Sequence, residues 1–198
     1  MDLRDEAIHQ ASSPDHIALA RELFREYADW LKVDLCFQGF ERELAALPGD
    51  YAPPDGRLLI TWHQEQPVGC IALRRVDVTT GEVKRLYVRP QARGRLTGRR
   101  LVEQVVAAAK GIGYRRLVLD TLPQMAEAQA LYRSFGFREI QAYYANPLPG
   151  VIYLALDLAS DVAPDVAPGA CSRLATIRSA RRLSWSRSCP AIPSGSKR

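Results

Sequence analysis

The sequence predicts a mixed α/β fold, with a largely antiparallel sheet that carries helices on both faces. Two patterns indicate the elements: apolar residues recur at helical spacing in some segments, and short apolar runs bounded by turn residues occur in others. A third observation concerns their order. Strand, helix, strand and helix follow one another through residues 82–135, which requires one parallel strand pair beside the hairpin-linked strands.

Four segments have the apolar spacing of amphipathic helices. They are Asp15–Leu31, Phe37–Leu47, Gly98–Lys110 and Ala126–Phe135. Ser13 and Pro14 are typical N-cap and first helical residues for the first of them. Glycines that end a helix follow the last two: Gly111 and Gly113 after the third, and Gly136 after the fourth.

Five segments are predicted to be strands. They are Arg57–His63, Pro67–Arg75, Glu82–Val88, Arg115–Thr121 and Gly150–Leu158. The first two form a hairpin with its turn around Gln64–Gln66, because polar residues separate two apolar runs there. The last strand closes the domain before the composition changes.

The charge distribution divides the 198 residues into two parts. Residues 1–158 are predicted to form the folded domain, and residues 159–198 a basic Ser/Pro/Arg-rich tail that stays mostly disordered. Seven basic and two acidic residues after position 159 account for the whole net charge of +5. The neutral domain therefore excludes a basic nucleic-acid-binding core, although the tail alone has the composition of a polyanion-binding arm.

The remaining composition excludes several other classes. No apolar run is long enough to span a membrane, and the polar, acidic start does not have the pattern of a secretory signal, so we expect a cytoplasmic protein without a membrane partner. The four cysteines, Cys36, Cys70, Cys171 and Cys189, lack the spacing of a metal site. No metal is expected, and Cys36 and Cys70 are predicted to be buried thiols.

A basic turn from Gln91 to Gly98 follows the third predicted strand and opens a helix. Backbone N–H groups and the positive end of the dipole make a helix N-terminus an anion site. Arg93, Arg95, Arg99 and Arg100 add positive charge around it. A pyrophosphate would gain charge-assisted hydrogen bonds there. The alternative is a surface turn with a solvated basic helix end.

Two motifs in this region resemble those of the GNAT acetyltransferases. Gln91-Ala92-Arg93-Gly94-Arg95-Leu96 is similar to their Q/R-x-x-G-x-G/A loop, and the run from Leu131 to Phe137 is similar to their L-Y-x-x-x-G-F ending. The apolar strand RRLVLDT lies between the two, as the middle strand of that family does. The resemblance implies a GNAT-like fold, acetyl-CoA as acyl donor, and N-acetyltransferase activity.

The resemblance also implies which residues bind the cofactor. They are Leu86, Tyr87, Val88, Arg93, Gly94, Arg95, Leu96, Thr97, Gly98 and Arg99. The sequence departs from the family pattern at Leu96 and Thr97, where glycine and an aliphatic residue are usual, and at Met125, where an asparagine is frequent. Leu96 keeps its N–H, but its Cβ crowds a backbone that has to approach phosphate.

Two residues are candidates for catalysis. The resemblance places Tyr132 beside the thioester sulfur as general acid, and a backbone N–H near Leu86 to Val88 at the thioester carbonyl. Glu82, at the start of its predicted strand, is a candidate for the base that takes the proton of the amine. The alternatives are a tyrosine packed on the sheet and an exposed carboxylate at a strand end.

The acceptor is the least readable part of the prediction. Candidate contacts on elements that flank the cleft in such folds are Trp30, Asp34, Tyr143, Tyr144 and Asn146. Each has an alternative role in packing or in a turn, and Asp34 would suit an ammonium group. A small-molecule amine is the predicted acceptor of a monomer or homodimer. The alternatives are a protein lysine or N-terminus, and a non-catalytic acyl-CoA-binding module with a nucleic-acid-binding tail.

Overall fold

The computed structural model describes residues 6–33, 35 and 39–158. The predictions for Asp34 and Cys36 lie outside the described residues. The predictions for residues 159–198, including the tail, Cys171 and Cys189, lie outside them as well.

The described part contains seven strands and four α-helices. In chain order they are β1 (Glu6–Gln10), α1 (Pro14–Leu31), α2 (Phe40–Ala46), β2 (Arg57–His63), β3 (Gln66–Arg75), β4 (Thr80–Val88), α3 (Thr97–Ile112), β5 (Arg116–Thr121), α4 (Ala126–Ser134), β6 (Arg138–Ile140) and β7 (Ile152–Asp157). Short 3-10 turns lie at Gly49–Tyr51 and Pro90–Ala92.

The strands form one sheet in the order β1-β2-β3-β4-β5-β7-β6. Within it, β4 and β5 are parallel and the other neighbouring pairs are antiparallel. Helix α3 connects β4 to β5, because parallel neighbours need a crossover connection. This arrangement confirms the predicted mixed, largely antiparallel sheet.

Two hydrophobic clusters cover the two faces of this sheet. Along β2 and β3 the side chains alternate: Leu58 and Ile60 belong to one cluster, and Leu59 and Ile71 to the other. Helices α1 and α2 pack in the first cluster through residues such as Leu23, Phe24 and Leu44. Helix α3 packs in the second through Leu101, Val102 and Val105. Helices therefore lie on both faces, as predicted from the 2-residue and 3.6-residue periods.

Local signals in the sequence position several ends of the elements. The Ser13 side chain accepts a hydrogen bond from the His16 N–H at 3.1 Å and caps α1 as predicted. Gln64 and Glu65 both have positive φ, at 47° and 62°, and join β2 to β3 in a two-residue turn. The predicted hairpin is thus confirmed, with a turn one residue shorter.

Other boundaries differ from the prediction. Strands β1 and β6 were not predicted, because the first is a polar edge strand and the second has only three residues. Helix α2 begins at Phe40 rather than Phe37, and α3 continues past Gly111 to the left-handed Gly113. Strand β4 begins at Thr80, so Glu82 lies inside the sheet and is 2% exposed, not at an open strand end.

The sheet opens between its two parallel strands. The pairing of β4 with β5 ends at Glu82 and Val118, yet β4 continues to Val88 and β5 to Thr121. Each strand keeps its other neighbour, β3 or β7, over that stretch. The carboxyl-terminal halves of β4 and β5 therefore diverge and leave a cleft. No helix among the described residues is long and apolar enough to cross a membrane.

Candidate active site

The cleft between the diverging strands has a volume of about 530 Å³, including its open mouth. Residues of α1, β4, β5 and α4 and of the adjoining loops line it: Tyr27, Leu31, Leu35, Val83, Lys84, Arg85, Leu86, Asp120, Thr121, Leu122, Met125, Tyr132 and Leu148. The cleft therefore joins two residues predicted from the sequence, Leu86 and Tyr132, with several that were not.

A β-bulge in β4 brings a charged side chain to the cleft. The register between β3 and β4 shifts between Cys70 and Ala72, and Arg85 has a positive φ of 59°. One extra residue on β4 bends the strand and re-aims its side chains. In a regular strand, adjacent side chains point to opposite faces. Because of the bulge, Arg85 lines the cleft together with both of its neighbours, Lys84 and Leu86.

Arg85 forms a buried ion pair with a carboxylate of α2. Its Nε and Nη2 donate to the two oxygens of Glu43 at 2.9 and 2.5 Å, and the Tyr51 hydroxyl donates to Glu43 at 2.7 Å. Burial opposes ionisation of Glu43, but the Arg85 guanidinium and the Tyr51 hydroxyl outweigh it and lower the pKa of Glu43. The rings of Phe40 and Tyr27 lie 5.2 and 5.9 Å from the Arg85 guanidinium carbon.

Replacing Glu43 by alanine is expected to lower the free energy of unfolding by ~3–5 kcal/mol, because Arg85 stays buried without its partner. The lowered pKa of Glu43 fixes the sign of its pH dependence. Its contribution is present above the unfolded carboxyl pKa of ~4.3 and is lost as pH falls through the lower folded value. Thermal unfolding of wild type and variant between neutral pH and pH ~2 measures both effects. Glu41→Ala on the exposed face of α2 is the control, and an equal loss in both variants would contradict the expectation.

A second charged network crosses the cleft from β4 to β5. The Lys84 Nζ lies 3.0 Å from Asp120 Oδ1 and 3.7 Å from Glu82 Oε1. Arg74 holds the other Glu82 oxygen at 2.6 Å. Burial alone would raise the pKa of Asp120, but the Lys84 ammonium and a hydrogen bond with Tyr144 hold it below its usual range. Asp120 is thus ionised at neutral pH.

Three residues predicted to contact the acceptor belong to this network. The Tyr143 hydroxyl donates to Glu82 Oε1 at 2.7 Å. The Asn146 amide donates to the Tyr144 hydroxyl at 2.8 Å and to Asp120 Oδ2 at 3.4 Å. Burial, followed by the charge of Glu82, raises the pKa of Tyr143, so its hydroxyl keeps its proton. These side chains hold the two carboxylates of the cleft region in place.

Tyr132 enters the cleft from α4. It is 6% exposed, and its ring lies 5.5 Å from that of Phe137. Burial raises the pKa of Tyr132, so the phenol is neutral over the physiological range. A neutral phenol in the cleft can donate one hydrogen bond to a group that develops negative charge.

Two residues of the basic turn after β4, Gly94 and Leu96, have a positive φ. Gly94 has a φ of 76°, and an added Cβ would meet no atom within 4 Å. Leu96 precedes α3 in the left-handed conformation, with φ 63° and 60% exposure, and no side chain caps the helix. Thr97 is buried, and its hydroxyl donates to the Ala92 carbonyl at 3.3 Å. The first turn of α3 therefore has no side-chain cap and follows an exposed loop that contains Gly94.

The arginines of the loop have different partners. Arg93 donates from Nε to the Val88 carbonyl at 3.0 Å and lies 4.8 Å above the Trp30 ring. The Trp30 ring in turn lies 6.4 Å from that of Tyr87. Trp30, which was predicted to contact the acceptor, therefore packs against Arg93 and Tyr87, which were predicted to bind the cofactor, and it does not line the cleft.

The two other arginines predicted to bind the cofactor point to different neighbours. The Nη1 of Arg95 lies 3.1 Å from His63 Nε2. Arg99 pairs with Glu103 at 3.2 Å and lies 5.0 Å from the Phe135 ring, along the outer side of α3. Gly98 lies where an added Cβ would contact Leu131 and Val88 at 3.5 and 3.9 Å.

The sequence prediction missed the charged residues of the cleft: Glu43, Lys84, Arg85 and Asp120. A signal was present for three of them. Lys84 and Arg85 interrupt a strand with apolar residues on either side, and Asp120 lies near the end of the apolar run RRLVLDT. Ionised residues are almost never fully buried unless they are paired, so charges inside apolar strands indicate a buried network.

Comparisons with known proteins agree with this architecture. The sequence model of the acetyltransferase (GNAT) family matches residues 16–137. An uncharacterized N-acetyltransferase of Schizosaccharomyces pombe is 36% identical over 155 residues, which cover 77% of this chain and 95% of that protein. The chain therefore belongs to the GNAT acetyltransferase family.

Solved structures share the fold. An acetyltransferase from Streptococcus agalactiae superposes with a TM-score of 0.66 at 23% identity, covering 79% of this chain and all of that one. A GNAT acetyltransferase from Elizabethkingia anophelis, crystallised with acetyl-CoA, has a TM-score of 0.53 at 20% identity and covers 78% and 99%. Membership of the family confirms the predicted enzyme class, acetyltransferase, and the predicted acyl donor, acetyl-CoA.

Proposed function

We propose that the protein transfers the acetyl group of acetyl-CoA to the amine of a small molecule in the cleft between β4 and β5. The observation that carries this proposal is the divergence of the two strands after Glu82 and Val118, which opens a cleft beside the Tyr132 phenol. Side chains from four elements surround the space, which favours a small acceptor over a protein segment.

The loop between β4 and α3 fits the pyrophosphate of the donor. The exposed Gly94 leaves open space where a side chain would stand, and α3 begins without a side-chain cap. Arg93 and Arg95 flank this glycine. We assign pyrophosphate binding to the N–H groups of residues 94–99 and to these two side chains, and the pantetheine arm to the edge of β4 at Leu86–Val88.

When bound, acetyl-CoA supplies a thioester, which is an electrophilic carbonyl with a thiolate as its leaving group. A backbone N–H at the bulge of β4, near Leu86, polarises that carbonyl. The Tyr132 phenol donates a hydrogen bond to the departing sulfur. Because its pKa is raised, we assign it the stabilisation of the thiolate by this bond, with the proton remaining on the oxygen.

The acceptor amine has to lose a proton as it attacks. Neither Glu82 nor Tyr143 lines the cleft, but Lys84, whose Nζ lies 3.7 Å from Glu82 Oε1, does, so the pair lies directly behind the lining. Of the two closest partners of Glu82, Arg74 and Tyr143, the Tyr143 hydroxyl can both give and take a proton. We therefore assign the proton transfer to the Tyr143–Glu82 pair, with Glu82 as the final acceptor.

A panel of small amines and a lysine-containing peptide tests the function. Each is incubated with acetyl-CoA and the protein while free thiol is measured. We expect thiol release with at least one small amine and none with the peptide. Release with the peptide alone would contradict the small-molecule acceptor, and no release with either, while acetyl-CoA binds, would contradict the catalytic function.

Exchanging Arg93 and Arg95 together for alanine is expected to raise the dissociation constant of acetyl-CoA about tenfold or more, since one charge-assisted hydrogen bond is worth ~1.5–3 kcal/mol. Calorimetry measures the change. The control is the double exchange of Arg115 and Arg116, which removes the same charge at the opposite end of the parallel strands. An equal rise of the dissociation constant in both double variants would mean that the arginines act through long-range charge and not through direct contact. An unchanged constant in the Arg93 and Arg95 variant would contradict this site for the pyrophosphate.

Leu96→Gly is expected to tighten acetyl-CoA and to raise the free energy of unfolding by up to ~1 kcal/mol. The left-handed backbone costs leucine ~1–2 kcal/mol, while the added freedom of the unfolded chain offsets part of the gain. Gly94→Ala is the opposite change at φ 76° and is expected to destabilise the protein. Calorimetry and thermal unfolding measure the two effects. Weaker binding by the Leu96→Gly variant would contradict the crowding attributed to this side chain.

A further inference from the structure

Two adjacent cations line the cleft, and both are buried. The side chain of Lys84 is 8% exposed and that of Arg85 is 2% exposed. Burial of an ammonium or a guanidinium costs several kcal/mol unless partners compensate it. Asp120 is the one anion among the residues that line this cleft, so the lining is cationic although the surrounding network is balanced.

Both cations have donors that their ion pairs do not use. Arg85 uses Nε and Nη2 for Glu43, and Nη1 takes no part in that pair. The Lys84 ammonium has three donors. One bond, to Asp120, is 3.0 Å long, and the contact with Glu82 is a loose 3.7 Å. A small anion in the cleft could therefore accept from both residues without breaking either pair.

The position of the two cations limits where such an anion lies. Arg85 and Lys84 precede Leu86, near which the thioester carbonyl is assigned, by one and two residues. A strand rises about 3.3 Å per residue, so the backbone of these two residues lies within about 7 Å of that of Leu86. That distance fits a carboxylate on the carbon that bears the amine. The ionised Asp120 on the facing strand is suited to attract the ammonium form of that amine.

The rest of the lining is mainly apolar. It includes Leu31, Leu35, Leu122, Met125 and Leu148. A polar side chain on the acceptor would lose its hydration against these residues, whereas an apolar side chain would gain by burial.

We propose that the acceptor is an α-amino acid with an apolar side chain, whose carboxylate is bound by Arg85 and Lys84. This inference rests on the proposed function and specifies its substrate class. It assigns recognition of both charges of the acceptor to β4 and β5, through Arg85 and Lys84 for the carboxylate and Asp120 for the ammonium group. The expected product is an N-acetylated amino acid and free coenzyme A.

Matched acceptors test the inference on the wild-type protein. The set is leucine, leucinamide and 3-methylbutylamine, which share the side chain and differ at the carboxylate. We expect kcat/KM for leucine to exceed that for each of the other two by about tenfold or more. The amide has the more acidic ammonium group and thus more free amine at neutral pH, so its own reactivity works against this result.

Arg85→Lys provides the second measurement. A lysine keeps the charge beside Glu43 but loses the fork of donors, so the preference for leucine over leucinamide should fall about tenfold. The control is Arg89→Lys, because Arg89 is also paired with carboxylates, Glu22 and Glu26, but lies outside the cleft lining. The Arg89→Lys variant should prefer leucine over leucinamide as strongly as the wild type does.

The outcomes separate this inference from the proposed function. Equal turnover of leucine and leucinamide, or an Arg85→Lys variant with the wild-type preference, would overturn the carboxylate site while acetyl transfer stands. Thiol release with none of the three would overturn this inference alone if another small amine of the panel is acetylated, and the proposed function as well if none is although acetyl-CoA binds.

Discussion

Exchanging Tyr132 for phenylalanine is expected to lower kcat by about 100-fold or more, the typical loss when one hydrogen bond to a developing charge is removed. The exchange keeps the ring and its contact with Phe137 and deletes only the hydroxyl. Because the hydroxyl acts on the departing sulfur and not on the rest of the donor, affinity for acetyl-CoA and the thermal midpoint should stay near their wild-type values. Steady-state kinetics, calorimetry and thermal unfolding measure the three quantities.

Tyr114→Phe is the matched control for this loss. Tyr114 is also buried, its hydroxyl donates to the Asp55 carbonyl at 2.8 Å, and it is not among the residues that line the cleft. That variant should lose some stability and keep its kcat. A decrease of less than about threefold for Tyr132→Phe would mean that the thiolate departs without help from the phenol.

Glu82→Gln is expected to lower kcat by about 100-fold or more, because the amide is nearly isosteric but cannot take up the proton of the amine. Tyr143→Phe should cause a loss of similar size, since the hydroxyl at 2.7 Å is the assigned connection to Glu82. The double variant should then be no slower than the slower single variant, because residues that act as one unit have non-additive effects. Turnover of the four proteins at saturating donor measures this cycle.

Two results of the cycle would contradict the assignment. Multiplicative losses in the double variant would show that Glu82 and Tyr143 act independently. A full rate in Glu82→Gln, together with a large loss in Asp120→Asn, would move the base to Asp120, which lines the cleft directly.

Most of the fold could be predicted because its elements carry strong periodic patterns. The β2–β3 hairpin, α1 with its Ser13 cap, and the β4–α3–β5 crossover follow from apolar spacing and turn residues. The edge strand β1 could not be predicted this way, since Glu6–Gln10 is mostly polar and is ordered by pairing with β2 rather than by burial of one face.

The sequence alone can suggest the part of the candidate site that lies within one short segment. The loop around Gly94 is local, so its residues and spacing are visible in the sequence. The charged cleft is not local: Glu43 of α2 meets Arg85 of β4, and Lys84 of β4 meets Asp120 of β5. Such pairs depend on strand order and on a bulge that apolar periodicity does not record. The predicted roles of the Gly94 loop, Glu82, Tyr132 and the acceptor contacts remain predictions that the variants above test.

An experimental structure of the protein with coenzyme A tests the proposed site most directly. We expect the pyrophosphate on the backbone N–H groups of residues 94–99, with the thiol between β4 and β5 within hydrogen-bonding distance of the Tyr132 hydroxyl. A pyrophosphate bound away from the Gly94 loop, or a thiol that lies outside the cleft and out of reach of Tyr132, would contradict the proposed site.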